Sequence, residues 1–417
     1  MIFRARWVLP IDRAPLEDGW IETDIDPDVT TGAAPARILA IGRGRPPAPP
    51  VDLGDVALLP GLVNAHTHLE LSWMAGRVPS SGSMNEWIRT LMDVRRAGPP
   101  GGEAEVIDAM TRAAAAMHAT GTVLVGDISN TLASPRILAA ADLGGVVFHE
   151  LIGFNPIDPA QQVREAWERV AAVRQGLTDD ALGGEIGMNV VAHAPYSVAP
   201  SLFAEIVRRA DQTPLSVHLA ESAEEIEFLR SGSGPIRQML ETLGVWSGAW
   251  TAPGTDPVRY LASLGYLQRG VLIVHGVHLT DDGLDQLRTA GAVLVTCPRS
   301  NLWVGSGPPR LPHFYASRMP VAIGTDSLAS APSLNLFDEL AEMRRIAPEV
   351  AAGALLDSAT RRGAEALGFG RDYGTLSVGK RAALVAVDID VEAPASVRDV
   401  EEYLVSGVAA SAIRRVA

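Results

Sequence analysis

A (β/α)8 barrel of the TIM type, flanked by a small β-sandwich domain built from both chain ends, is the α/β fold class that three observations predict. Eight short apolar runs recur through the middle of the 417-residue chain, at 62–65, 122–125, 146–148, 188–192, 215–217, 272–274, 292–295 and 321–323. Helical periodicity follows them, as at 103–118, 160–175, 201–211, 223–231 and 281–290. Both chain ends carry a different texture, short apolar runs broken by Asp, Gly and Pro. Several of the middle runs are continuously apolar, as strands buried on both faces are. Eight β-then-α units over roughly 300 residues is the arithmetic of such a barrel. A doubly wound open sheet is the competitor, but no Gly-x-Gly-x-x-Gly follows an early strand.

The elements follow in chain order. Residues 1–56 hold Trp7-Val8-Leu9-Pro10, Gly19-Trp20-Ile21 and Ile38-Leu39-Ala40-Ile41, which read as antiparallel strands and turns. Pro46-Pro47-Ala48-Pro49-Pro50 is a linker or loop. The barrel is expected over 57–377. Strand-and-turn texture returns after it, at Gly379-Lys380-Arg381 through Val387 and at Glu402-Tyr403-Leu404-Val405, so 378–417 is expected to pair with 1–56.

Composition narrows the function classes. The chain is 47% hydrophobic and 20% charged, enough to bury a large core. Its net charge of −14, without a dense Lys/Arg cluster, argues against a nucleic-acid partner. One cysteine, Cys297, permits no internal disulfide and fits a reducing compartment. No apolar run is long enough for a membrane helix, and the N-terminus lacks a signal core. A cytoplasmic enzyme acting on a small molecule is the expectation. A homodimer stays open.

Chemistry is expected at the C-terminal ends of barrel strands. Seven of the nine histidines lie at or just past such ends. His66 and His68 are i and i+2 on one strand, so their imidazoles share a face. With His218 and Asp326 they can converge on one divalent ion, zinc or iron(II), leaving a place for water. Such an ion lowers the pKa of a bound water from about 15.7 towards 7. Asp326 could instead be a helix N-cap. Glu221, three residues after His218, is placed to move protons from water to a leaving group; the alternative is a solvated acid at a helix start, with Glu224 and Glu225. His275 would orient the water, and Asp326 could double as its base. His278 reads as structural. His193 sits where a substrate contact is expected, or is a satisfied core histidine.

Five motifs and their order resemble the amidohydrolase superfamily. They are Pro60-Gly61-Leu62-Val63-Asn64-Ala65-His66-Thr67-His68, His218-Leu219-Ala220-Glu221, His275-Gly276-Val277-His278-Leu279, Cys297-Pro298-Arg299-Ser300-Asn301-Leu302 and Gly324-Thr325-Asp326-Ser327, with Ser333-Leu334-Asn335-Leu336-Phe337 a sixth. The chain is similar to the single-metal branch of cytosine deaminases, chlorohydrolases and nucleoside deaminases. Binuclear members bridge two metals with a barrel lysine; the only lysine here, Lys380, lies outside the expected barrel. A bridging Glu stays open, with Glu150 the one candidate. Thr67-His68-Leu69-Glu70-Leu71-Ser72 and Asn85-Glu86-Trp87-Ile88 resemble aminodeoxyfutalosine deaminases of an alternative menaquinone route. That resemblance implies an adenine-bearing substrate, with Glu70 and His193 reading the base and Glu150 also facing substrate. Its benzoate calls for a cation, for which Arg299, Arg89 and Arg77 are candidates, and Trp87 is a candidate pocket wall. Surface arginines and ordinary packing are the alternatives. Another amidohydrolase or chlorohydrolase reaction on a small heterocycle remains a rival, since the metal–water machinery is shared.

Overall fold

The computed structural model describes residues 1–25, 36–179, 185–210, 213–389 and 396–416. Eight parallel strands carry the catalytic half. They are β1 (Leu62–Thr67), β2 (Thr122–Ser129), β3 (Gly144–Leu151), β4 (Ile186–Ala192), β5 (Ser216–Leu219), β6 (Leu272–His275), β7 (Val293–Thr296) and β8 (Val321–Ile323). All eight overlap the expected runs. The expected helix 201–211 runs Pro200–Arg209, and residue 211 lies outside the described residues.

The strands form two four-stranded halves, β1 to β4 and β5 to β8. Two seams join the halves into a (β/α)8 barrel. At the β8–β1 seam, Thr67 bridges Asp326, and the Thr325 and Asp326 amides donate to the His66 carbonyl at 3.0 and 3.1 Å. The Asn64 amide also donates to Thr325 Oγ1 at 2.7 Å. At the β4–β5 seam, the His218 amide donates to the His193 carbonyl at 2.9 Å. Tyr266, 0% exposed, ties the same seam from behind: its hydroxyl accepts from the Ala192 amide and donates to the Ser216 carbonyl, both at 3.0 Å. Buried backbone groups need such partners, so each seam is closed rather than left as an edge.

The two chain ends pair in one seven-stranded sheet. Its strands include Ile2–Val8, Leu16–Thr23, Ile38–Arg43, Val56–Pro60, Leu384–Asp388 and Ile413–Arg415. Residues 56–60 therefore pair with this sheet, and the barrel strand starts only past Gly61. An added Cβ at Gly61 would sit 2.3 Å from Val123 Cγ1, so the chain can turn there only without a side chain. Alternation explains why Val56–Pro60 reads as an unbroken apolar run. Val56 and Leu58 join the sheet's own core, while Ala57 and Leu59 face the barrel core. Leu384 and Ala386 repeat this against Val385 and Val387.

The strand texture expected at 402–405 is corrected: those residues are in the helix Val397–Val405. Ser396 caps it, its Oγ accepting from the Asp399 amide. Val400, Leu404 and Val405 are buried in the barrel's hydrophobic core, and period-3.6 burial outweighs the β propensity of a short apolar run. Residues 390–395 and 417 lie outside the described residues.

Candidate metal centre and active site

Five imidazoles gather at the C-terminal mouth of the barrel. The ring of His66 lies 4.9 Å from those of His68 and His218 and 5.7 Å from His275, and His193 lies 4.9 Å from His218. Strand alternation brings His66 and His68 to one face, as their spacing implied.

The nitrogens aim at one point. His68 Nε2 is 3.2 Å from His66 Nε2 and 3.3 Å from His218 Nε2. Asp326 Oδ1 lies 3.4 Å from His68 Nε2 and 3.8 Å from His66 Nε2. Two ligands bound tetrahedrally at about 2.0–2.1 Å stand about 3.3–3.4 Å apart, so these separations suit a shared ion. One neutral Nε2 cannot hydrogen-bond two others that also lack protons. His218 is such a case: its Nδ1 donates to the His193 carbonyl at 3.0 Å, which leaves Nε2 as a lone pair. Burial, reinforced by the neighbouring imidazoles, holds His66 well below the usual histidine range. Burial likewise pulls His68 down to about 3, with Asp326 opposing. Neutral imidazoles are what a divalent ion requires. The donor set fits zinc or another divalent ion of similar preference.

Asp326 is held from both ends. Its Oδ2 accepts from Ser300 Oγ at 2.5 Å and Ser330 Oγ at 2.8 Å, which turns Oδ1 toward the histidines. Burial alone would raise its pKa; His68, His275 and the two hydroxyls outweigh that and keep it below the usual value. Thr67 Oγ1 donates to its carbonyl at 2.6 Å. Gly324 lets β8 come this close, since a Cβ there would sit 2.7 Å from His66 Cβ.

Three non-glycine residues at this mouth have positive φ: Ala220 at 51°, His275 at 71° and Asp326 at 57°. Such conformations are costly and persist where surrounding bonds enforce them. The His275 ring is oriented by Asn301, whose side-chain amide donates to Nδ1 at 2.9 Å. Nε2 of His275 is left facing Glu221 Oε1 at 3.6 Å. Burial, helped by Asp326 and Glu225, pushes the Glu221 carboxyl well above the usual range.

His193 stands beside the cluster. Ser197 Oγ donates to the Ala194 carbonyl, so His193 Nδ1 donates to Ser197 Oγ at 2.5 Å and Nε2 stays an acceptor. Burial pulls His193 down to about 4, and the positive charge of Arg95 adds to this. Glu150 is 6% exposed and lies behind His218, its Oε1 3.6 Å from His218 Nδ1 and its Oε2 accepting from Asn130 at 3.2 Å. It faces the far nitrogen of that ring, not the convergent one.

Other expected site residues have partners of their own. Glu70 does not offer a free carboxylate: its oxygens accept from Ser129 Oγ, the Asn130 amide at 3.0 Å, and the Thr131 amide and hydroxyl at 3.0 and 2.7 Å. It anchors the loop after β2. Arg299 does not offer a free cation, because Nη1 donates to Ser333 Oγ at 3.1 Å and pairs with Asp338 at 3.4 Å. Arg77 pairs with Glu105 and lies over Trp73. Trp87 is buried among Trp73, Met74, Val78 and Met84 on the helix Met84–Ala97. His149 donates from Nδ1 to the Ser129 carbonyl and joins no metal-ligating cluster among the described residues.

Arg95 was missed. It lies on the helix Met84–Ala97 four residues past Leu91, seven past Ile88 and eleven past Met84, on the stripe these apolar residues define. Its charge reaches His68, His193 and Glu150, lowering all three beneath the larger effect of burial. The helical phase with Leu91 and Ile88 was the available signal.

Comparisons with known proteins agree with this geometry. A 5-methylthioadenosine/S-adenosylhomocysteine deaminase of Halobacterium salinarum is 29% identical over 396 residues, 91% of this chain and 84% of that one. An aminodeoxyfutalosine deaminase of Deinococcus radiodurans is 31% identical over 331 residues, 75% of this chain and 73% of that one. The crystal structure of an adenosine deaminase from Xanthomonas campestris with bound zinc matches with a TM-score of 0.77 at 26% identity, covering 99% of this chain and 90% of that one. The amidohydrolase family pattern spans residues 57–410, from the last strand before the barrel through all eight barrel strands and every motif named above, and the chain belongs to that family.

Proposed function

We propose that this enzyme hydrolytically deaminates an adenine nucleoside, with a carboxylate-bearing nucleoside of the aminodeoxyfutalosine type as first choice. The carrying observation is the convergence of three imidazole nitrogens and Asp326 Oδ1 on one point, with the buried carboxyl of Glu221 facing His275 beside them. His66, His68, His218 and Asp326 would hold one divalent ion, zinc by choice of donors. Bound there, it supplies Lewis-acid activation of water.

The chain's own groups do the proton work. Glu221 gives its proton to the ring nitrogen beside the reacting carbon and regains one from the attacking water. His275, whose Nδ1 accepts from Asn301 and whose Nε2 therefore carries the ring proton, orients that water with Asp326, and Asp326 takes its second proton. The carbon–oxygen bond forms, the carbon–nitrogen bond breaks, and the amino group leaves with that proton as ammonia. His193 Nε2, an acceptor, faces the base. Arg95 supports the carboxylate-bearing choice, as does the similarity to the Deinococcus relative. Incubating zinc-loaded protein with a panel of aminopurine nucleosides, aminopyrimidines and pterins tests the reading. Ammonia and the hydroxypurine product are expected from adenine nucleosides. Ammonia from none of them would sink it.

A further inference from the structure

Glu225 sits in the first turn of the helix Ala223–Ser231 and is 0% exposed. Its Oε1 accepts from the Ala220 amide at 3.0 Å and its Oε2 from the Glu221 amide at 3.1 Å. We propose that Glu225 is a positioning residue: its carboxylate clamps these two N–H groups and so fixes where the Glu221 side chain points.

Helix capping alone does not account for this arrangement. The cap is already made by Ser222, whose Oγ accepts from the Glu225 amide at 3.2 Å. In an ordinary capping box the acid three residues on reaches back to the cap residue's own amide. Here it reaches past Ser222 to the two residues before it, the second of which is Glu221 itself. Burial pushes this carboxyl up to about 7, and the two N–H donors on its separate oxygens oppose that by favouring the ionised form.

The opposite side of the turn is pinned too. The His278 amide donates to the Ala220 carbonyl at 2.8 Å, and the Gly276 amide to the Leu219 carbonyl at 3.1 Å. Between these anchors Ala220 adopts φ of 51°, a conformation a non-glycine residue leaves unless held. The clamp and its counter-anchor thus define a rigid turn from metal-ligand strand to proton-carrying acid. Sub-ångström precision at that acid is what proton transfer needs.

The inference rests on the deaminase reading only for what Glu221 does, and the test separates the two. Glu225→Gln keeps one acceptor oxygen and sets an NH2 group against the second N–H. In the zinc-loaded full chain, kcat is expected to fall about ten- to hundred-fold while KM stays within about two-fold. One metal per chain should be retained, and hydrogen exchange at the Glu221 amide should quicken about ten-fold or more. Ser222→Ala, which removes the cap but not the clamp, should lower Tm and leave kcat unchanged. Should Glu225→Gln not fold, Glu225→Asp keeps the charge, shortens the reach and is expected to show the same kcat loss. Wild-type kcat in the folded variant overturns the proposal, as does activity lost in step with metal or folded fraction, or an equal kcat loss in Ser222→Ala. If wild-type protein deaminates nothing, the functional reading fails, and the amide-exchange comparison still decides the clamp.

Discussion

Under the proposed function, Glu221 would serve the chemistry at the residue scale and Arg95 the selection of substrate. Glu221 is buried and faces His275 rather than the convergent nitrogens, so its removal should leave a bound ion in place. Glu221→Gln is expected to lower kcat at least about 1,000-fold with full metal content, measured by ammonia release and metal analysis. Loss of metal in that variant would mean that Glu221 is a ligand. Arg95 is exposed and reaches the site by charge. Arg95→Ala should raise KM about ten-fold for a carboxylate-bearing adenine nucleoside and leave it nearly unchanged for a neutral one. The ligand histidines were legible because period-2 spacing and strand ends fix where a ring points. The partners of Glu70 and Arg299 were not legible because they lie far off in sequence: the loop 129–131 for one, Ser333 and Asp338 for the other. Glu225 read as a solvated acid for a different reason: its N–H donors, Ala220 and Glu221, lie only five and four residues away, in a turn where Ala220 takes a positive φ that the sequence does not announce.

At the scale of elements, the seams decide whether the ligands meet. The apolar runs announced eight strands but not which pairs would be weakly joined. The β4–β5 seam rests on Tyr266, which sits in a connection with no strand signal of its own and bonds Ala192 and Ser216 at once. Tyr266→Phe leaves a buried amide and a buried carbonyl without that partner. It should cost about 2–3 kcal/mol in urea unfolding and weaken zinc binding, since His193 and His218 stand at the ends of these two strands. Unchanged zinc affinity would show that the seam does not position the ligands. The helix Val397–Val405 was hidden in sequence for a different reason. Its buried residues Val400 and Leu404 are spaced for a helix, but the short apolar run Tyr403-Leu404-Val405 favours a strand when tertiary packing is unseen.

For the whole molecule, one ion would join parts of the barrel that the sequence keeps far apart. His66 and His68 come from β1, His218 from β5 and Asp326 from beyond β8, so the ligand set crosses the β8–β1 seam and spans both halves. An ion that binds only the folded chain stabilises it by about 4 kcal/mol at a thousand times its Kd. Chelation should therefore lower Tm by several degrees, and one equivalent of zinc should restore it. A Tm indifferent to chelation would place the ion, if any, away from the seam. The enzyme is an amidohydrolase whose relatives are named as nucleoside deaminases. Among its described residues, no helix is long and apolar enough to cross a membrane. The central claim is that a single ion on this four-residue set drives deamination. Titrating metal-free protein with zinc while following ammonia release from an adenine nucleoside tests it most directly. Activity should rise linearly and level off at one zinc per chain; activity without zinc, or a plateau only at two, would contradict it.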